Sequence, residues 1–337
     1  MKFLILWSML GIVLIMTVLG AAQPVNSPTI IGLTINADIP SSATEEQAHV
    51  AEQNLSHIYD QINQRNLAAT VFSPGDTAHS YVNLGLTRIG LSTNFELGIS
   101  GNHSNEKLST VPYAEQSTIL KNSKRYVENA KVCGKNVITV HGFMPQSFDQ
   151  NKDTYNVLDS LGIQYDAGFQ AGVLYAPGHK NDVWPYLVEG HKFYAVPFST
   201  YNTSGKSVVL DDSYFKDNGM SGSQWYDSLA GKFDEIQGKD VPLVIGLTSS
   251  ISGSGDYMDA LKKFMDYAVS KKASFVTIGQ LVNMTKAGVR DVSALPASVP
   301  AGCPTCDQSS SNTNAKITVS MNNTTEVAAP TAVKASK

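Results

Sequence analysis

Residues 242–278 read P-L-V-I-G-L-T-S-S-I-S-G-S-G-D-Y-M-D-A-L-K-K-F-M-D-Y-A-V-S-K-K-A-S-F-V-T-I. The run P-L-V-I-G-L (242–247) is continuous, apolar and of strand length. From Asp256 to Ser270 the residues Tyr257, Leu261, Phe264, Met265 and Ala268 fall on one stripe of a helix. S-F-V-T-I (274–278) is extended again. A strand, a helix and a strand in this order imply parallel pairing, because the crossover must carry the chain back before the next strand can join.

The same unit recurs upstream. T-I-I-G-L-T-I (29–35) is a β-branched run. Ser42 with Glu45 three residues on suggests a capping box, and Val50, Ala51, Leu55, Ile58 and Ile62 then recur at helical spacing. L-A-A-T-V-F (67–72) reads as a strand that stops at the turn Ser73-Pro74-Gly75, and F-E-L-G-I (95–99) as a third. A helix over 113–132, with Ile119, Leu120, Tyr126, Val127 and Ala130 inward, precedes a strand at 136–140. Helix 153–161, extended segments at 163–169 and 193–197, and a helix at 224–237 around Trp225, Leu229 and Phe233 follow. About eight strands alternating with helices predict an α/β chain folded as a closed or nearly closed (β/α) barrel rather than an open sheet.

Active sites in such barrels gather at the C-terminal strand ends. Asp38, Asp76, His79, His103, His141 and Thr248 each follow a predicted strand, so one rim is expected to collect them. The loop Y-A-P-G-H-K-N-D-V-W-P-Y (175–186) adds Trp184 and Tyr186 as rings able to stack on a sugar, with His179 and Asp182 as hydrogen-bonding groups. Ser252-Gly253-Ser254-Gly255 lacks the lysine of a phosphate loop and reads as a lead into the next helix.

At 337 residues and 42% hydrophobic content the chain can bury a large core. Residues 3–19 are almost wholly apolar behind Lys2 and end at Gly20-Ala21-Ala22, the pattern of an export signal over 1–22. The alternative is an uncleaved anchor, although the run falls just short of the roughly 20 residues that span a bilayer. A secreted or cell-surface protein is expected, touching a membrane only through this segment. With 25 basic and 29 acidic residues, the chain lacks the charge excess of a nucleic-acid binder. The folded body is expected over 28–290, followed by a low-complexity, disordered tail over 291–337. Cys303 and Cys306 form a lone C-P-T-C without the second pair of a zinc site, and Cys133 has no evident partner.

In order and spacing these segments resemble the polysaccharide deacetylase family of carbohydrate esterases. G-L-T-I-N-A-D (32–38) is similar to the family's opening strand with its aspartate motif, usually L-T-F-D-D-G or F-D-x-D. R-N-L-A-A-T-V-F (65–72) is similar to its K-A-T-F-F strand, and E-L-G-I-S-G-N-H-S (96–104) to its E-I-G-N-H-[ST] motif. G-F-M-P (142–145) resembles its arginine-proline motif, 151–169 the helix and strand after it, and 242–278 its closing strand, helix and strand.

The resemblance covers roughly 28–285 and implies a distorted barrel of about seven parallel strands. It also implies metal-assisted removal of acetyl groups from sugars: a divalent ion polarises the carbonyl and its water, an aspartate acts as base, and a histidine protonates the leaving group. Carried over residue by residue, Asp38 takes the metal aspartate position and Asn36 that of the base. In the F-D-D register the ligand becomes Ala37. His103 matches the first metal histidine, Lys107 stands at the second, Met144 near the orienting arginine, and Thr248 where the acid histidine belongs.

A rearranged zinc or manganese site would draw on Asp38, His103 and Glu106, with Asp38 and His141 as catalytic groups and Trp184, Tyr186 and His179 holding the sugar. Two functions therefore stand side by side. One is a diverged deacetylase of envelope or extracellular glycans. The other is a non-catalytic glycan-binding or envelope protein on the same barrel.

Overall fold

The computed structural model describes residues 28–39, 42–80, 94–129, 131–132, 135–136, 138–203 and 205–295. The predicted signal or anchor (1–22), the three cysteines and the tail beyond 295 lie outside the described residues. The strands are β1 (Ile30–Asn36), β2 (Ala69–Ser73), β3 (Phe95–Ile99), β4 (Lys131–Val132), β5 (Lys135–Asn136), β6 (Gly142–Phe143), β7 (Tyr165–Gln170), β8 (Tyr186–Leu187), β9 (Tyr194–Phe198), β10 (Thr200–Thr203), β11 (Lys206–Val209), β12 (Leu243–Thr248) and β13 (Ser274–Val276). The α-helices are α1 (Glu45–Gln64), α2 (Gly75–Ser80), α3 (Tyr113–Glu128), α4 (Lys152–Leu161), α5 (Asp212–Asp217), α6 (Gly222–Ile236), α7 (Ser249–Ser252), α8 (Gly255–Ser270) and α9 (Ile278–Ala287).

Seven strands form one parallel path in the order β12-β1-β2-β3-β6-β7-β9, with β8 antiparallel at its end and β13 on the first half of β1. The path curls until its two ends meet. Ser199 N–H donates to the Val244 carbonyl (3.0 Å) and Val244 N–H to Ser199 Oγ (2.9 Å). Leu210 continues the seam by donating to Ser199 and accepting from Gly246, at 2.8 and 2.9 Å. The distorted seven-stranded barrel expected from the sequence is the fold observed.

The strands are buried on both faces, which explains why they read as continuous apolar runs. Ile31, Leu33, Ile35, Val71, Ile99, Ile245 and Leu247 pack outward among the helices, whereas Ile30, Phe72, Tyr165, Val196 and Val244 fill the barrel interior. Two interior rings, Phe72 and Tyr165, meet edge to face at 6.4 Å. They fit because glycine stands opposite each: a Cβ on Gly98 would lie 2.5 Å from Phe72, and one on Gly142 2.1 Å from the Tyr165 ring.

The N-terminal end of the barrel is plugged by α9. Its first turn is held by a Thr277–Gln280 capping box, and Ile278 and Gly279 donate N–H groups to Thr70 Oγ1 (2.7 Å) and Glu96 Oε2 (2.8 Å) inside the barrel. Ile278, Leu281, Val282 and Met284 are then buried against Ile30, Val244 and Val276, at about 1.5–3 kcal/mol for each large apolar side chain.

Several local expectations shift. The capping box that starts α1 is Thr44 with Gln47, two residues after the predicted pair, and Val50 is exposed rather than part of the buried stripe. The strand predicted at 136–140 is displaced to Gly142–Phe143, behind the two-residue hairpin β4-β5. Pro74 and Gly75 do not merely end β2; the chain turns straight into α2.

Candidate functional site at the barrel mouth

At the C-terminal ends of β1, β6, β11 and β12 lies a groove of about 650 Å³. Asn36 and Asp38 enter it from β1, Met144 to Phe148 from β6, Asp211 and Ser213 from the start of α5, and Thr248 from β12. Asp38 is placed by the turn 37–39, which Thr77 of α2 clamps through its hydroxyl to both the N–H and the carbonyl of Ile39 (3.2 and 3.1 Å).

The loop 100–106 is built around Gly101, whose φ of +104° suits glycine and under which the Glu106 carboxylate sits. Glu106 Oε2 accepts the Asn102 N–H at 2.6 Å, so this side chain is turned back into its own loop. Gln146 reaches across from β6 to donate to the carbonyls of Ser100 (2.9 Å) and His103 (2.5 Å). The N–H groups of Gly75 and Asp76 donate to the carbonyls of Gly101 and Asn102 at 3.0 and 2.8 Å, fixing α2 against the same loop.

His103 therefore sits at the mouth with both ring nitrogens engaged. Nδ1 faces the Asp76 carboxylate, and Asn102 Nδ2 lies 3.1 Å from Nε2 while also donating to Asp76 at 3.2 Å. Asp38 accepts a hydrogen bond from the Ser104 hydroxyl. Burial raises the pKa of Asp38 and the Ser104 bond lowers it only in part; burial also raises Glu106, against the N–H groups of Asn102 and His103. Among the described residues no three His, Cys, Asp or Glu side chains converge as a cation site.

The set Asp38, His103 and Glu106 expected to hold zinc or manganese is thus not assembled: the imidazole has no free nitrogen and the Glu106 carboxylate is committed to backbone. Lys107, where the resemblance wants a second imidazole, brings a positive charge that opposes a divalent ion. The donor set does not fit the metal that such a fold implies.

The remaining predicted residues separate. His141 does not share the mouth with Asp38; it lines a second cleft of about 310 Å³ with Glu96, Gln164 and Gln280, beside the α9 plug. The displaced strand is the reason, because His141 now precedes β6 instead of ending a strand, and its carbonyl accepts from Gln164 (2.8 Å). Trp184 donates Nε1–H to the Asp240 carbonyl (3.1 Å) and is covered by the Arg290 guanidinium at 4.0 Å. Tyr186 is buried, stacked on His179 at 4.0 Å and hydrogen-bonded to the Ala176 N–H, while His179 faces Asp182. These three side chains pack the body and do not line the mouth groove. The His79 ring lies tilted at 40° against Tyr126, with centroids 4.6 Å apart.

Thr248 stays at the mouth, and beneath it the sequence reading missed a carboxylate pair. Asp212 is fully buried and accepts the Thr248 N–H at 2.9 and 2.8 Å and the Ser252 hydroxyl at 2.6 Å. Burial first, and then the adjacent Asp211, pushes it up to about 8. Asp211 caps α5 through the Ser213 N–H (3.0 Å) and faces the groove. The signal was present as V-V-L-D-D (208–212), an apolar run ending in two carboxylates.

No protein-family model and no curated protein matches the chain. Solved structures do. One described as a polysaccharide deacetylase from Mycobacterium smegmatis aligns with a TM-score of 0.59 at 15% identity, covering 78% of this chain and 92% of that one. A second, described likewise and from Pseudomonas aeruginosa, gives 0.61 at 16%, covering 77% and 92%. An allantoinase gives 0.63 at 14%, covering 79% and 92%. The inclusion of an allantoinase shows that the architecture alone does not choose the substrate. At the mouth Asn36, Met144 and Thr248 line the groove where the resemblance calls for base, arginine and acid, and the chain has the fold of the polysaccharide deacetylases.

Proposed function

We propose that this is a glycan-binding protein on a deacetylase barrel, without the metal-dependent hydrolysis, exported through its N-terminal segment and acting at the cell surface or beyond it. One observation carries the reading: the three side chains that would hold the metal are engaged with protein groups instead. Ser104 occupies Asp38, Asp76 and Asn102 occupy His103, and the backbone of the loop occupies Glu106. A hydrolytic site instead keeps ligand positions open for metal and water. The groove survives this closure, and its mixture of hydroxyl, amide and carboxylate groups beside the Phe148 ring suits an envelope or extracellular polysaccharide.

Purified full-length protein tests this directly. Zinc and manganese are expected well below one per chain, acetate release from acetylated glycans at the level of a buffer blank, and binding to at least one amino-sugar polymer in either its acetylated or free-amine form. Stoichiometric zinc that is lost in His103→Ala, together with acetate release, would overturn the proposal in favour of a rearranged deacetylase.

A further inference from the structure

Three carboxylates, Asp38, Asp211 and Asp217, line the mouth groove, and among the described residues no lysine, arginine or histidine lines it with them. The partners of the inner two are neutral: Ser104 donates to Asp38, and the N–H and hydroxyl of Ser213 donate to Asp211. His103 faces Asp76, outside the groove lining, and the Lys216 ammonium lies over the Tyr257 ring at 5.4 Å. Burial raises the pKa of both Asp38 and Asp211, the signature of carboxylates whose ionised form lacks a counter-charge.

A further acceptor joins them. The Asn36 side-chain oxygen is buried at the groove wall and has no donor among the described residues. A buried amide oxygen without a partner is destabilising unless something else donates to it. The walls therefore offer acceptors and negative charge and ask for a ligand rich in donors and positive charge.

Resting on the glycan-binding reading above, we infer that the groove selects an amino-sugar polymer carrying free amines over its N-acetylated counterpart. An acetamido group brings one N–H, a methyl and a carbonyl oxygen that would face carboxylates. A free ammonium brings three donors and the missing charge. Phe148, half-buried in the wall and held edge to face on Phe198 at 5.2 Å, offers an apolar surface to the sugar ring.

Titration calorimetry of full-length protein with the glucosamine trimer and the N-acetylglucosamine trimer tests the inference. The free-amine trimer is expected to bind about ten-fold or more tightly, the difference that a partly desolvated ion pair supplies. Asp217→Asn and Asp38→Asn should each weaken it several-fold, whereas Asp259→Asn, which removes an equal charge from the exposed face of α8, should not. Thermal melts of each variant separate lost binding from lost folding. Equal affinity for the two trimers, a preference for the acetylated one, or an equal effect of Asp259→Asn overturns the selectivity and leaves glycan binding standing. Failure of both trimers to bind overturns the two readings together.

Discussion

Replacing Asp212 by asparagine should stabilise the protein in alkaline solution. The carboxylate is fully buried, its partners are the Thr248 N–H and the Ser252 hydroxyl, and its nearest charged neighbour is another carboxylate, Asp211. Its pKa is pushed from 3.8 up to about 8, first by burial and then by that neighbour. Between these values the native state holds a proton that the unfolded state has released. Stability is therefore fully present below about pH 4, declines as pH rises toward about 8, and is flat above it.

One proton corresponds to about 1.4 kcal/mol per pH unit; relaxation and water entry reduce the sum across the window to the order of 3 kcal/mol. Asparagine is neutral throughout, its Oδ1 can accept the Thr248 N–H, and the Ser252 hydroxyl can turn to accept from Nδ2. Urea unfolding of both proteins at pH 5, 7 and 9 gives the test. Near equality is expected at pH 5, with a growing advantage for Asp212→Asn at pH 9. Asp166, also buried and pushed up to about 8, contributes equally to both proteins and cancels. A difference that stays flat with pH, or a variant less stable than wild type at pH 9, would refute the reasoning.

Two further outcomes concern the barrel interior and the mouth. Gly142→Ala drives a methyl group to within 2.1–2.4 Å of the Tyr165 ring and should cost about 1–3 kcal/mol in denaturant unfolding; an unchanged midpoint would mean that the interior is loose there. Ser104→Ala removes the bond that lowers Asp38, so the carboxyl should titrate at higher pH still in a carbon-detected NMR titration, and a downward shift would show that burial is not the governing cause.

The barrel was legible because its strands are apolar on both faces and its helices on one stripe, as in β12-α8-β13, where every residue of the predicted α8 stripe is buried. Short elements escaped. The two residues of β6 leave no periodicity to read, and the error of a few residues there carried His141 into the wrong cleft. Trp184, Tyr186 and His179 were read as ligand-facing because aromatics in a polar loop look alike whether they meet sugar or protein. Only the Asp240 carbonyl, the Arg290 guanidinium and the ring stack tell them apart. At the mouth, residue types placed Asp38 after β1 and His103 after β3, and the structure has them there with β2 between. Which partner each would take depends on Ser104 and Asp76, and hydrogen-bond direction across 27 to 66 residues of sequence has no local signature.

The α9 plug also marks the end of the barrel at which the described segment starts and stops. The first described residues lead into β1 at that end of the barrel, and the last ones, through Val289, Val292 and Leu295, pack against the same interior cluster. Both ends of the described segment thus lie at the floor while the groove opens through the roof. A ligand that enters the groove therefore approaches from the face opposite to the one where the described segment starts and stops, as into a cup filled from above.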